Sequence, residues 1–227
     1  MDIPGISSDK TRPVSFIGLT IAMLGPVLVT LVITPQLEEP LGAEGARWLG
    51  LLLIWLCVIG VLVITRRAEQ LPLTSLGVHP LSWKDGLLAV GLGIALSVAV
   101  PLLTLMFGGL FGLDDADGSI TGTAQLSPLL VAFGVLTAGT AEELLFRSYP
   151  IERLEGWLGS ALPGAILATL MFTLAHIVSW NLAHIVVVVL PYGIILAGLY
   201  LWKRNLLFVM IVHLLVDLPL IVIALMG

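Results

Sequence analysis

Five side chains that can take or give a proton, Glu142, Glu143, His176, His213 and Asp217, stand inside strongly apolar runs, with Arg147 at the end of one run. A charge at the centre of a membrane helix costs about 2.5–3.5 kcal/mol on insertion scales, so each such residue asks for a chemical reason. Five of them in the second half of one chain exceed what helix packing needs. Their spacing sorts them. Glu143 and Arg147 are four apart, share a helix face and are placed to pair, whereas Glu142 is rotated by about 100° and points elsewhere. One carboxylate is thereby neutralised and one is left free, the arrangement a general base needs. His213 and Asp217, also four apart, present an imidazole and a carboxyl on a single face, and Phe172 sets an aromatic ring one turn beneath His176. On spacing alone, a helix-end ion pair and an interhelical polar clamp remain open readings of the two i,i+4 pairs.

The elements that hold these residues follow from composition. The chain has 227 residues, 58% hydrophobic and 11% charged, and a mean hydropathy of +1.09. A soluble domain is about a quarter charged, so lipid is the expected solvent. Apolar runs at 14–34, 46–65, 86–112, 128–147, 161–179, 183–201 and 206–226 each approach the length of a crossing. They lack alternation, and an open sheet cannot satisfy its backbone in lipid. The fold class is therefore all-α, a polytopic membrane helix bundle of about seven transmembrane helices. With the N-terminus inside and the C-terminus outside, Lys10, Arg12, Arg66, Arg67, Lys84, Arg147, Arg153, Lys203 and Arg204 fall on inner flanks and only Arg47 falls outside.

The expected organisation is one membrane domain over 1–227: a polar segment at 1–13, two helices within 14–69 and a core at 70–227. The first apolar run is too long for a signal-peptide core and reads as a retained helix. Residues 66–85 read as a segment lying on the inner surface, and 113–127 as the most flexible outer loop. Pro26, Pro101, Pro191 and Pro219 are expected to kink their helices. Gly91, Gly93, Gly108, Gly109 and Gly198 are expected to be close-packing positions. His79 and His184 are read as structural. Cys57, the single cysteine, reads as a small buried hydrophobe and excludes an internal disulfide. A net charge of −5 without a basic block excludes nucleic acid as a partner.

The ordered set Glu142-Glu143-Leu144-Leu145-Phe146-Arg147, Phe172-Thr173-Leu174-Ala175-His176 and His213-Leu214-Leu215-Val216-Asp217 resembles the CAAX prenyl protease and bacteriocin-processing family of glutamate intramembrane proteases. Its signatures are EExxxR, FxxxH and HxxxN or HxxxD on successive late helices, and the resemblance covers roughly residues 70–226. It implies an intramembrane endopeptidase in which Glu142 and His176 activate a water, His213 and Asp217 bind the carbonyl oxygen as charge develops, and Glu143 and Arg147 support them. It implies no cofactor and no metal. A membrane-embedded or lipidated peptide or protein is the expected partner, in a prokaryotic plasma membrane. The prenyl-protein branch commonly has Asn at the position of Asp217, and an ionised carboxylate cannot donate to an oxyanion. Asp217 is then either protonated or, the preferred reading, an orienter of His213.

The same residues are compatible with three other readings. Glu, His, His and Asp are all zinc ligands, although no HExxH motif preorganises them. A proton or ion relay uses the same residue types. An immunity or scaffold protein would bind a peptide in the same cavity without turnover.

Overall fold

The computed structural model describes residues 12–111 and 125–226, so the outer loop expected at 113–127 and the polar start of the chain lie almost wholly outside the described residues. Among the described residues every regular element is helical. The order is α1 Arg12–Leu28, α2 Thr34–Val63, α3 Trp83–Phe111, α4 Pro128–Thr137, α5 Tyr149–Leu158, α6 Leu162–Ala175, a short α7 Leu182–His184, α8 Leu190–Lys203 and α9 Leu206–Met226. Turns of wider π geometry join several of these end to end without a break.

Among the described residues, five helices are long and apolar enough to cross a membrane: Arg12–Ala68, Trp83–Leu102, Pro128–Leu158, Leu182–Lys203 and Leu206–Met226. The chain is an integral, multi-pass membrane protein on that ground. The 57-residue stretch Arg12–Ala68 holds two of the seven apolar runs. It folds back at Gly42, whose φ of 72° and ψ of 163° break the helix. Gly25 lies against Cys57, Gly60 against Ile21 and Gly50 against Thr34, so the two arms pack antiparallel as a hairpin. The run at 161–179 makes a shorter helix, α6, of 14 residues. At about 1.5 Å per residue it falls short of a hydrocarbon core about 30 Å thick.

Local chemistry sets the helix ends. Ser127 caps α4 by accepting from Leu130 N, with Pro128 at the first helical position, where its missing N–H costs nothing. Asn205 Oδ1 accepts from Phe208 N at 3.2 Å and starts α9. Gly159 at φ 70° stops α5 and Arg204 at φ 47° stops α8. Burial alone would lower the pKa of the Arg204 guanidinium, but hydrogen bonds and proximity to Glu155 and Glu152 outweigh it and hold the value above normal.

Helix α9, the carrier of His213, is drawn between α3 and α4 by two glycines. A Cβ on Gly93 would lie 2.7 Å from Leu215 Cβ, and one on Gly139 would lie 2.4 Å from Leu214 Cγ. Gly93 is thus a close-packing position as expected, whereas Gly91 and Gly198 face open space. The prolines behave unevenly: Pro26 precedes a π turn at Val29–Ile33 and Pro191 follows one at Ile185–Val189.

Two readings change. The segment after α2 does not merely lie on a surface: Leu71, Ser75 and Leu76 are buried, and a single 3-10 turn, Leu73–Leu76, is pinned from within. Ser148 Oγ donates to Leu76 O at 2.6 Å, Arg153 Nη1 to Ser75 O at 3.0 Å and Leu206 N to Gly77 O at 2.8 Å. In addition, Arg147 and Arg153 are fully buried in ion pairs. They therefore carry no headgroup information, and the inside-positive count rests on the other basic residues.

Candidate active site

The EExxxR residues lie on a helix whose winding is altered around them. Ala138–Glu142 and Leu144–Ser148 are π turns on either side of Glu143, inside one continuous stretch from Pro128 to Leu158. Such local widening is common at functional sites because it re-aims side chains that a regular helix would direct elsewhere. The stretch also runs past Arg147 and Arg153 to Leu158, so the helix extends beyond the apolar run at 128–147.

Glu143 and Arg147 pair at 3.0 Å and both are fully buried. The same oxygen, Glu143 Oε1, meets His213 Nδ1 at 2.6 Å. A carboxylate oxygen at that distance accepts, so the ring donates from Nδ1. The other ring nitrogen, Nε2, stands 3.4 Å from Asp217 Oδ2. Asp217 is therefore a neighbour of His213, as the spacing of four suggests, and Glu143 is a second and closer carboxylate on the same ring. Sequence spacing ties Glu143 to Arg147 only; its link to His213 crosses from one helix to another.

His176 caps the C-terminus of α6, and its Nδ1 lies 2.7 Å from the carbonyl oxygen of Phe172. A carbonyl can only accept, so Nδ1 carries the proton and Nε2 of the neutral ring is left as an acceptor. The Phe172 ring joins the parts of the site. It lies 4.5 Å from the His176 ring and 6.4 Å from the His213 ring, and the Arg147 guanidinium carbon sits 4.1 Å from its centroid. Glu142 completes the set on the neighbouring face, with Oε2 buried and without a hydrogen-bond partner among the described residues. Glu143 Oε2, Arg147 Nε and Nη2, and the Tyr192 hydroxyl share that condition.

A cavity of about 530 Å³ opens beside this cluster. Glu142, His176 and His213 do not line it. Its wall instead includes Ala138, Asp217 and Val178 to Trp180, which stand one turn or a few residues along the chain from those three. Asp217 is the point at which the cavity meets the polar cluster. The opposite wall is the N-terminal hairpin, through Thr30, Thr34, Glu38, Arg47 and Ile54 among others. The two N-terminal helices thus contribute to the site more than the motifs disclosed. Tyr192 was also missed; the available signal was an unexplained tyrosine beside Pro191 in an apolar run. His184 is buried and stacked on Trp180 at 4.0 Å. Among the described residues, no three of His, Cys, Asp and Glu are arranged to hold a metal ion.

Residues 124–219 match the family described as Rce1-like, type II CAAX prenyl endopeptidase Rce1-like. The resemblance read from the three motifs is therefore shown over that segment, a little under half of the chain, and every motif residue falls within it. No match was found among curated proteins or among solved structures.

Proposed function

We propose that this chain is an intramembrane endopeptidase that hydrolyses a peptide bond of a membrane-embedded or lipidated substrate with a water held by Glu142 and His176. The observation that carries the proposal is a buried, unpartnered Glu142 oxygen beside a Glu143 that is already committed to Arg147 and His213. One acid is occupied with structure and the other is available to a proton. The CAAX peptidase match over the same residues supports the reaction class.

In this reading, water attacks the carbonyl carbon while Glu142 takes its proton and His176 Nε2 accepts its second O–H. The carbonyl π electrons move to oxygen, and the doubly protonated form of His213 offers Nε2–H to that oxyanion. Collapse restores the carbonyl, breaks the C–N bond and passes the Glu142 proton to the leaving amine. A positioned base contributes about 10²–10⁴-fold and one oxyanion donor about 10²–10³-fold. The cavity beside Asp217 admits an extended segment, within the range of about 300–1,000 Å³ usual for ligand sites. The proposed frame counts the short α6, with the turns that follow it at 176–179, as the fifth of seven crossings, N-terminus inside and C-terminus outside, in a prokaryotic plasma membrane.

The test compares peptides released from membranes containing the natural protein with those from membranes containing Glu142→Ala. Cleavage products restricted to the natural protein support the proposal; the same products from Glu142→Ala remove it. Chelator treatment is expected to leave cleavage unchanged, and a loss reversed by added zinc would replace the water-activating glutamate with metal chemistry.

A further inference from the structure

The chain has three tyrosines, and all three are buried. Tyr149 donates to Glu69 at 2.7 Å and Tyr200 donates to Glu152 at 2.9 Å. Tyr192 is 8% exposed, yet its hydroxyl has no hydrogen-bond partner among the described residues. A buried phenol normally finds a partner, because an unmet polar group gives up its hydration with nothing in return. The surroundings of Tyr192 are not inert. Its ring stands edge-on to His213, with centroids 5.3 Å apart and planes at 82°, and that imidazole in turn meets Glu143 and Asp217. Locally, the π turn Ile185–Val189 and Pro191 lie just before it and set the start of α8, from which Tyr192 faces the core.

We infer that Tyr192 is a further catalytic residue, its hydroxyl donating a hydrogen bond to the substrate carbonyl oxygen as negative charge develops there. The inference rests on the endopeptidase reading above. Water oxygen bonds to the carbonyl carbon, the water proton goes to Glu142, and the π pair settles on the oxygen that Tyr192 and His213 hold. Tyr192 keeps its proton throughout, and Glu142 returns the other to the amine as the C–N bond breaks. The phenol reaches its partner only when substrate is bound, which accounts for a hydroxyl left unmet while its two counterparts are satisfied. The ring has a separate task, since its edge limits where the His213 imidazole can turn.

The two roles separate in Tyr192→Phe, which keeps the ring and removes the donor. The full-length protein in liposomes would be assayed on a quenched fluorescent peptide carrying a cleavage site found in the peptide comparison. Expected is a kcat lower by about 10²-fold or more, the usual cost of one oxyanion donor, with KM and thermal midpoint unchanged. A peptidyl phosphinate of the same sequence, whose oxygens copy the tetrahedral intermediate, should lose affinity by a similar factor while the uncleaved peptide does not. Full kcat in Tyr192→Phe would overturn the inference, and so would equal losses for peptide and phosphinate, which mark ordinary ground-state binding. If Glu142→Ala cleaves as well as the natural protein, the endopeptidase reading fails first. The phosphinate comparison needs no turnover and still decides the matter, with unchanged phosphinate affinity counting against Tyr192.

Discussion

Two buried acid–arginine pairs lie within this bundle, and their surroundings could hardly differ more. Glu69 and Arg153 are fully buried and meet at 2.8 Å. Around them, Ser15 and Tyr149 donate to Glu69 Oε1 at 2.6 and 2.7 Å, and Arg153 reaches Ser75 O and Oγ at 3.0 and 3.2 Å. Every buried polar atom of that pair has a partner. Glu143 and Arg147 are just as buried, yet among the described residues Glu143 Oε2 and Arg147 Nε and Nη2 have no hydrogen-bond partner, nor have Glu142 Oε2 and the Tyr192 hydroxyl close by. Each unmet buried group costs about 1–3 kcal/mol, more when charged, so a cluster of five is a large local expense of stability. An ion pair whose purpose is to join helices is completed, as at Glu69; one left incomplete keeps its groups for something that arrives later. The difference between the pairs is the physical case for placing chemistry at the second.

Removing one acid from each cluster separates the two pairs most clearly. Glu142→Gln is expected to lower cleavage by about 10²–10⁴-fold, the contribution of a positioned base, while the thermal midpoint in detergent stays level or rises. Cleavage that survives, or a protein that unfolds, would erase the contrast. Glu69→Ala should do the reverse. It leaves Arg153 buried and unpaired, at a cost of about 3–5 kcal/mol visible as a fallen thermal midpoint or lost expression, with normal turnover in whatever fraction remains folded. Joint replacement by Glu69→Leu and Arg153→Met should recover much of that loss, because two apolar residues leave no charge stranded. Cleavage that falls tenfold or more per folded molecule would show that the first cluster is not purely structural. The smallest effect belongs to Trp55→Phe, which removes the 3.0 Å bond from Trp55 Nε1 to Thr137 between the hairpin and α4. A loss of about 0.5–1.5 kcal/mol is expected in unfolding measurements, and a much larger one would mean that the hairpin's grip on the catalytic helices depends on this single contact.

The site was legible in part because its parts are helical and its background is apolar. Glu143 with Arg147 and His213 with Asp217 could be paired on paper from a spacing of four, and Glu142 set apart by one residue. The bond between Glu143 and His213 could not, since it joins residues 70 positions apart on different helices. Tyr192 escaped notice for a similar reason: its neighbours are supplied by α9 and the π-wound helix, and nothing adjacent in the chain marks it. Glu69, read as part of a surface segment, turned out to be the acid of a buried pair because Arg153, far along the chain, turns inward.

Hydropathy and helical spacing are local properties of the chain, and they were enough to read its solvent, its helical class and the side chains too costly to be idle. Packing between helices settled the rest: that Glu143 also meets His213, that the N-terminal hairpin walls the cavity and that one of three buried phenols lacks a partner among the described residues. Those outcomes depend on distances between helices that are remote in sequence, and such distances are fixed by packing, through contacts such as Gly93 and Gly139 against α9, rather than by spacing along the chain.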